Sequence, residues 1–286
     1  MHPQALFSIN LFGNTYSVYL YGICIAVGII ACLGVFYFYT KKKEMPTKVQ
    51  DFIFVVAIVA IALGFLFAKL FQAVYEWIES GVFDFYGSGI TAMGGFIGGA
   101  AVFLLVYFGA GKFVFKGKEK DLHKKEFNKI LLCAPCCITI AHAFGRIGCL
   151  FAGCCHGALI SHDAGHGGIY MTSSDTHITG YFVPTQLYEA LFLFALFAVL
   201  SYLYFNRSNI TMQIYLIAYG VWRIFIEFFR TDARGAIVLG LAPSQWQSII
   251  FIIGGIVMLV IYKLLKKPFR LPLDNKEKTE TTESET

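Results

Sequence analysis

Three guanidiniums and one carboxylate stand in stretches of this chain that are otherwise suited to hydrocarbon. Arg146 lies within Ala143-Phe144-Gly145-Arg146-Ile147-Gly148-Cys149-Leu150-Phe151-Ala152-Gly153-Cys154-Cys155-His156-Gly157, and Arg223, Glu227 and Arg230 follow one another in Trp222-Arg223-Ile224-Phe225-Ile226-Glu227-Phe228-Phe229-Arg230. An ionised side chain at membrane depth costs at least about 2.5 kcal/mol, so each needs a partner or a ligand. Arg223 and Glu227, four apart, share a helical face and can neutralise each other, while Arg230 can snorkel to the interface. Arg146 has no such local partner. Gly145, Gly148, Gly153 and Gly157 reduce the bulk around it and permit a broken helix where the backbone lines a cavity. The surplus of positive charge, carried on rigid forks, suits the phosphate of an anionic phospholipid.

The thiols form a second constellation. Cys149, Cys154, Cys155 and His156 stand at one end of an apolar run and Cys133, Cys136 and Cys137 at the other. Cys137 and Cys149 are about 18 Å apart along a helix, too far to share one metal. Adjacent cysteines lack the separation usual in zinc ligand pairs, so no metal ligand set is expected. A disulfide from Cys149 to Cys154 or Cys155 suits an oxidising outer face. A thiol-redox or metal-binding role for the Cys149 to His156 cluster is the competing class of function. The other cysteines within apolar runs read as small packing residues, and His162, His166 and His177 read as solvated loop residues.

The elements that position these groups follow from composition. Of 286 residues 57% are apolar, with 29 Phe, and only 14% are charged; a soluble domain needs nearer a quarter charged. Seven apolar runs are long enough to cross a bilayer: about 17–39, 52–75, 90–110, 129–151, 186–205, 211–229 and 245–265. The expected fold class is therefore an all-α, polytopic integral membrane protein of about seven helices. Residues 1–272 form the membrane domain and 273–286 a disordered polar tail. Lys41, Lys42, Lys43 and Lys48 follow the first span, and Lys112, Lys116, Lys118, Lys120, Lys124 and Lys125 follow the third. The connections at 76–89 and 154–185 carry no Lys or Arg. Arg207 and the set Lys263, Lys266, Lys267 and Arg270 complete the pattern, which places the N-terminus outside and the C-terminus in the cytoplasm.

The net charge of +5 resides in these short loops, so it reads as a topology signal and nucleic acid is not an expected partner. Met1-His2-Pro3-Gln4 lacks a basic n-region, and no removable signal peptide is expected. Gly94, Gly95, Gly98 and Gly99 have the spacing of close helix packing, with backbone approach to a ligand as the alternative. A transporter is a third class, disfavoured by the absence of an inverted repeat and by charges gathered toward one leaflet.

Several segments in order resemble the prolipoprotein diacylglyceryl transferases of bacterial cytoplasmic membranes. They are Tyr19-Leu20-Tyr21-Gly22, Gly94-Gly95-Phe96-Ile97-Gly98, Gly145-Arg146-Ile147-Gly148, Pro184-Thr185-Gln186-Leu187-Tyr188-Glu189 and Tyr219 through Arg230. The resemblance implies a seven-span enzyme that moves diacylglyceryl from phosphatidylglycerol to the thiol of a lipobox cysteine and releases glycerol phosphate. Its implied partners are phosphatidylglycerol, a prolipoprotein and the surrounding membrane lipids, with no cofactor. Carried over, Tyr21, Arg146, Arg223, Glu227 and His156 become candidate catalytic residues, and Arg146, Gly157, Arg223, Gly94 and Gly95 candidate phospholipid contacts. The chain departs from the family pattern at four positions. Met93 stands where the family has His, and Cys149, Ala152 and Cys154 stand for its Asn, Asn and Glu. Thioether formation needs a proton acceptor, which Met93 and Ala152 cannot be; His142, His156 and Glu227 are the candidates. The departures leave another acceptor as the alternative within the family.

Overall fold

The computed structural model describes residues 5–11, 14–163, 167–174, 176–206, 209–230 and 241–265. The expected tail at 273–286, Arg207, His166, Lys266, Lys267 and Arg270 lie outside them. Seven α-helices run through the described residues: α1 (Leu20–Lys42), α2 (Thr47–Ser80), α3 (Ala92–Val114), α4 (Leu122–Ala152), α5 (Thr185–Phe205), α6 (Thr211–Glu227) and α7 (Pro243–Leu265). Each coincides with one expected span. Six have the length and apolarity to cross a membrane, and α6, at 17 residues, is about 25 Å long, short of a core of about 30 Å.

Two small sheets were not expected. Ahead of α1, β1 (Ala5–Leu11) and β2 (Asn14–Tyr19) form an antiparallel hairpin, with Leu6, Phe7, Ile9 and Tyr19 exposed. Between α4 and α5, β3 (Leu159–Ser161), β4 (Ile169–Thr172) and β5 (Thr179–Phe182) make an antiparallel sheet in the order β3-β5-β4. Met171 and Phe182 bury themselves beneath it with Leu150 of α4. His162 is exposed, as expected of a solvated loop residue, and bonds the Thr179 carbonyl at 3.2 Å.

The described residues divide into two compact units, those within 5–39 and 131–265, and those within 40–130. In the second, α2 and α3 approach through small residues. A Cβ at Gly64 would stand 3.3 Å from the Gly95 carbonyl, and one at Gly98 only 2.3 Å from Phe67 Cβ. Without a hydrophobic drive between helices in lipid, such close approach is what holds them together. Lys48, at the start of α2, pairs with Glu119 in the loop before α4.

In the first unit, Tyr39 near the end of α1 donates to Ser201 Oγ at 2.8 Å and stacks on Tyr204 near the end of α5. Pro135 lies inside α4, where it removes one backbone donor. Close by, Thr211 at the start of α6 donates to the Leu132 carbonyl at 2.9 Å. A Cβ at Gly220 of α6 would lie 2.9 Å from the Ser248 carbonyl of α7.

Candidate active site

The C-terminal end of α4 carries His142, Arg146 and Cys149 at spacings of four and three, along one face. That face meets α5 at Glu189, which is fully buried. Arg146 Nε lies 3.0 Å from Glu189 Oε2. His142 Nε2 lies 3.8 Å from Glu189 Oε1, to which the Tyr219 hydroxyl of α6 donates at 3.2 Å. The Tyr219 ring meets His142 edge-on at 5.3 Å and stacks on Tyr215. One carboxylate thus gathers groups from three helices, and it answers the charge of Arg146.

One turn beyond Tyr219, Arg223 Nη2 pairs with Glu227 Oε2 at 2.9 Å. Arg223 is only 6% exposed, and no atom of the described residues accepts a hydrogen bond from its Nη1. A buried guanidinium donor without an acceptor is costly unless a ligand supplies one. Among the described residues, Arg146, Arg223 and Arg230 stand against the carboxylates of Glu189 and Glu227, a net-positive set that suits a phosphodiester.

Past α4 the chain turns sharply. Gly153 has φ +69°, and a Cβ there would lie 2.2 Å from the Thr172 carbonyl. Cys155 has φ +62°, a left-handed conformation rare outside glycine. The N-terminus of α5 holds this turn: Gln186 Nε2 donates to the Cys154 carbonyl at 2.7 Å and Thr185 Oγ1 to the Cys155 carbonyl at 2.8 Å. As a result the Sγ atoms of Cys149, Cys154 and Cys155 all lie within 4.8 Å of one another. All three are free thiols, not the expected disulfide. Hydrogen bonding to Cys149 and Cys154, with the charges of Arg230 and Arg146 behind it, holds the Cys155 thiol well below the ordinary thiol range.

The other expected residues fall in both units. Tyr21 packs at the same end of α4, its ring 3.1 Å from where a Cβ on Gly148 would be. His156 is committed to the framework, its Nδ1 bonded to the Gly157 carbonyl at 2.8 Å and its Nε2 to Ser173 Oγ at 2.9 Å. Gly157 joins Arg230 in a β-bridge, and a Cβ would stand 2.3 Å from the Phe229 carbonyl; its role here is to let the end of α6 approach. Gly94 and Gly95 belong to the second unit, where their missing Cβ atoms make room for Phe71 and Ala68. Glu189 was quoted in a motif but given no role. The signal was there: it is an ionisable residue in a span that carries no basic residue of its own.

The model of the prolipoprotein diacylglyceryl transferase family matches residues 7–261. The chain belongs to this family. A relative from Clostridium perfringens, named phosphatidylglycerol–prolipoprotein diacylglyceryl transferase 2, is 33% identical over 255 residues, covering 86% of this chain and 92% of its own. Similar relatives under that enzyme name, without the numeral, come from Clostridium tetani, 33% identical over 90% of this chain and 98% of its own, and from Clostridioides difficile, 31% identical over 87% and 91%. As a diacylglyceryl transferase family member the chain is a multi-pass membrane protein, as the apolar runs and the motif order implied.

Proposed function

We propose that this chain is a phosphatidylglycerol–prolipoprotein diacylglyceryl transferase, and that the centre built on Arg146, Glu189, Tyr219 and Arg223 is where it holds its lipid. The observation that carries the site assignment is the buried Arg223 Nη1, a donor with no acceptor among the described residues, beside an ion-paired Glu227. A phosphate oxygen satisfies it. Arg146, fixed by Glu189, stands on the same net-positive cluster and stabilises charge that grows on the phosphate as the glyceryl C–O bond breaks. Along α5 and α6 an apolar groove lined by Tyr188, Leu191, Phe192, Trp222, Phe225 and Phe229 offers a bed for an acyl chain.

The acceptor thiol must give up its proton before it attacks. Of the three candidate bases, His156 bonds Gly157 and Ser173, Glu227 holds Arg223, and His142 stands beside Glu189. The released glycerol phosphate leaves carrying the electron pair of the broken bond, and the thioether remains on the acceptor.

The test is reconstitution of the purified chain with phosphatidylglycerol and a lipobox-cysteine peptide, read by mass. Peptide carrying a diacylglyceryl adduct is expected, with none on the Cys→Ser peptide and none when the donor is phosphatidylcholine. Unmodified peptide from protein that is folded and inserted would overturn the reading.

A further inference from the structure

The three thiols at the end of α4 are part of no step described so far, yet they are the most constrained chemistry-bearing group in the first unit. Cys149 projects from the last turn of the helix. Cys154 and Cys155 follow a glycine turn and are pinned through their own carbonyls by Gln186 and Thr185. Adjacent residues in extended backbone point to opposite sides; the left-handed Cys155 breaks that alternation, and all three sulfurs converge within 4.8 Å. Three sulfurs around one zinc ion, at a bond length of about 2.3 Å, lie about 4 Å apart. The observed cluster reaches that geometry with sub-ångström shifts. All three residues are half-buried and remain reachable.

Among the described residues no fourth protein ligand joins the three sulfurs. His156 is turned away, each ring nitrogen already bonded. Three thiolates on a divalent ion give a net anion, and Arg146 and Arg230, whose charges act on Cys155, stand near enough to offset it in part. A three-ligand soft-donor site with an open fourth position is the form zinc takes where it binds a reactant rather than a scaffold.

We propose that Cys149, Cys154 and Cys155 bind one zinc ion whose fourth position takes the thiolate of the acceptor cysteine. This rests on the transferase reading above and deepens it, because it supplies a thiolate without a base in contact with the thiol. The acceptor R–SH loses its proton to water as its sulfur binds zinc. The zinc-held sulfur then forms a bond to the glyceryl carbon, the carbon–oxygen bond to phosphate breaks with its electron pair going to oxygen, and glycerol phosphate leaves. The product thioether is a neutral, weak ligand and departs. No atom is oxidised or reduced.

The experiment equilibrates reduced, detergent-solubilised full-length protein with buffered zinc and measures bound metal and its sulfur ligands by X-ray absorption. About one zinc per chain with three sulfurs is expected, rising to four when the lipobox-cysteine peptide is added and staying at three with its Ser counterpart. Cys149→Ser, Cys154→Ser and Cys155→Ser should each lose the metal, and Cys136→Ser, in the middle of α4, should keep it. Absence of zinc, retention in the Cys154→Ser and Cys155→Ser proteins, or a sulfur count that the peptide does not change would overturn the proposal. Diacylglyceryl transfer assayed on the same preparations separates the two readings. Full transfer by protein freed of zinc removes the metal and leaves the enzyme; a fourth sulfur without any transfer keeps the metal site and removes the enzyme.

Discussion

Glu189 occupies the fifth position of a helix with no basic residue, and Arg146 a helix end with no acidic neighbour one turn away. Each charge was visible in the sequence, but their pairing was not, because nothing in spacing links residues of different spans. The Arg223–Glu227 pair was legible for the opposite reason, since i and i+4 meet on any helix. Glu189→Gln therefore leaves Arg146 buried against a neutral amide and is expected to cost about 3 to 5 kcal/mol. Combining it with Arg146→Met removes both charges and should recover most of that loss. Unfolding midpoints in detergent measure the effect, and equal destabilisation of the single and double variants would break the pairing. The double variant should not bind phosphatidylglycerol, since it lacks the Arg146 guanidinium. His156 illustrates the converse: its sequence context marked it as a base, while its two hydrogen bonds make it a clamp between the turn after α4 and Ser173. His156→Ala should lose about 1 to 3 kcal/mol of stability, with transfer retained per folded molecule. A stable His156→Ala protein without transfer would restore the role of base.

At the scale of elements, long apolar runs made all seven helices legible, because membrane thickness fixes the run length. The sheets escaped notice. In β1 and β2 the alternation of Phe7, Ile9 and Leu11 with Ser8 and Asn10 is a period-two signal, but it merges with the apolar run that follows. Strands β3 to β5 have three or four residues each, too few to show a period. Glycine spacing in α3 was legible as helix packing, and the structure turns that reading into a graded expectation. A methyl group at Gly98 would stand 2.3 Å from Phe67 Cβ, whereas Gly109 on the same helix has nothing within 4 Å. Gly98→Ala should thus destabilise by about 1 to 3 kcal/mol, as overpacking does. Gly109→Ala should be neutral or stabilising by up to about 1 kcal/mol, from helix propensity alone. Thermal inactivation of the two proteins in one detergent decides this; similar gains at both positions would mean that helix propensity, not contact, governs α3.

For the whole molecule the open quantity is the number of crossings, and it turns on α6. At about 25 Å its helix falls short of the hydrocarbon core, so length alone permits a re-entrant segment that returns to the side it came from. Contacts within each unit argue for crossing. Tyr39 stacked on Tyr204 puts the ends of α1 and α5 on one side, as alternation of the first five spans requires. Thr211, at the start of α6, reaches α4 at Leu132, ten residues into that helix, while the end of α6 reaches Gly157 beyond its other end. The residues between Leu132 and Gly157 cover most of a bilayer, so α6 joins both ends of the same span. We therefore expect seven crossings, with Lys41 to Lys48, the segment from Lys112 to Lys125 and the C-terminus in the cytoplasm, and the thiol turn and its sheet outside. A periplasm-active phosphatase inserted after His162 should be active, and one fused after residue 286 should be inactive while a fluorescent-protein fusion there glows. An active C-terminal phosphatase would make the count six. It would also place Arg223 and Glu227 on a segment that dips and returns, which would move the lipid phosphate away from the depth that this site requires.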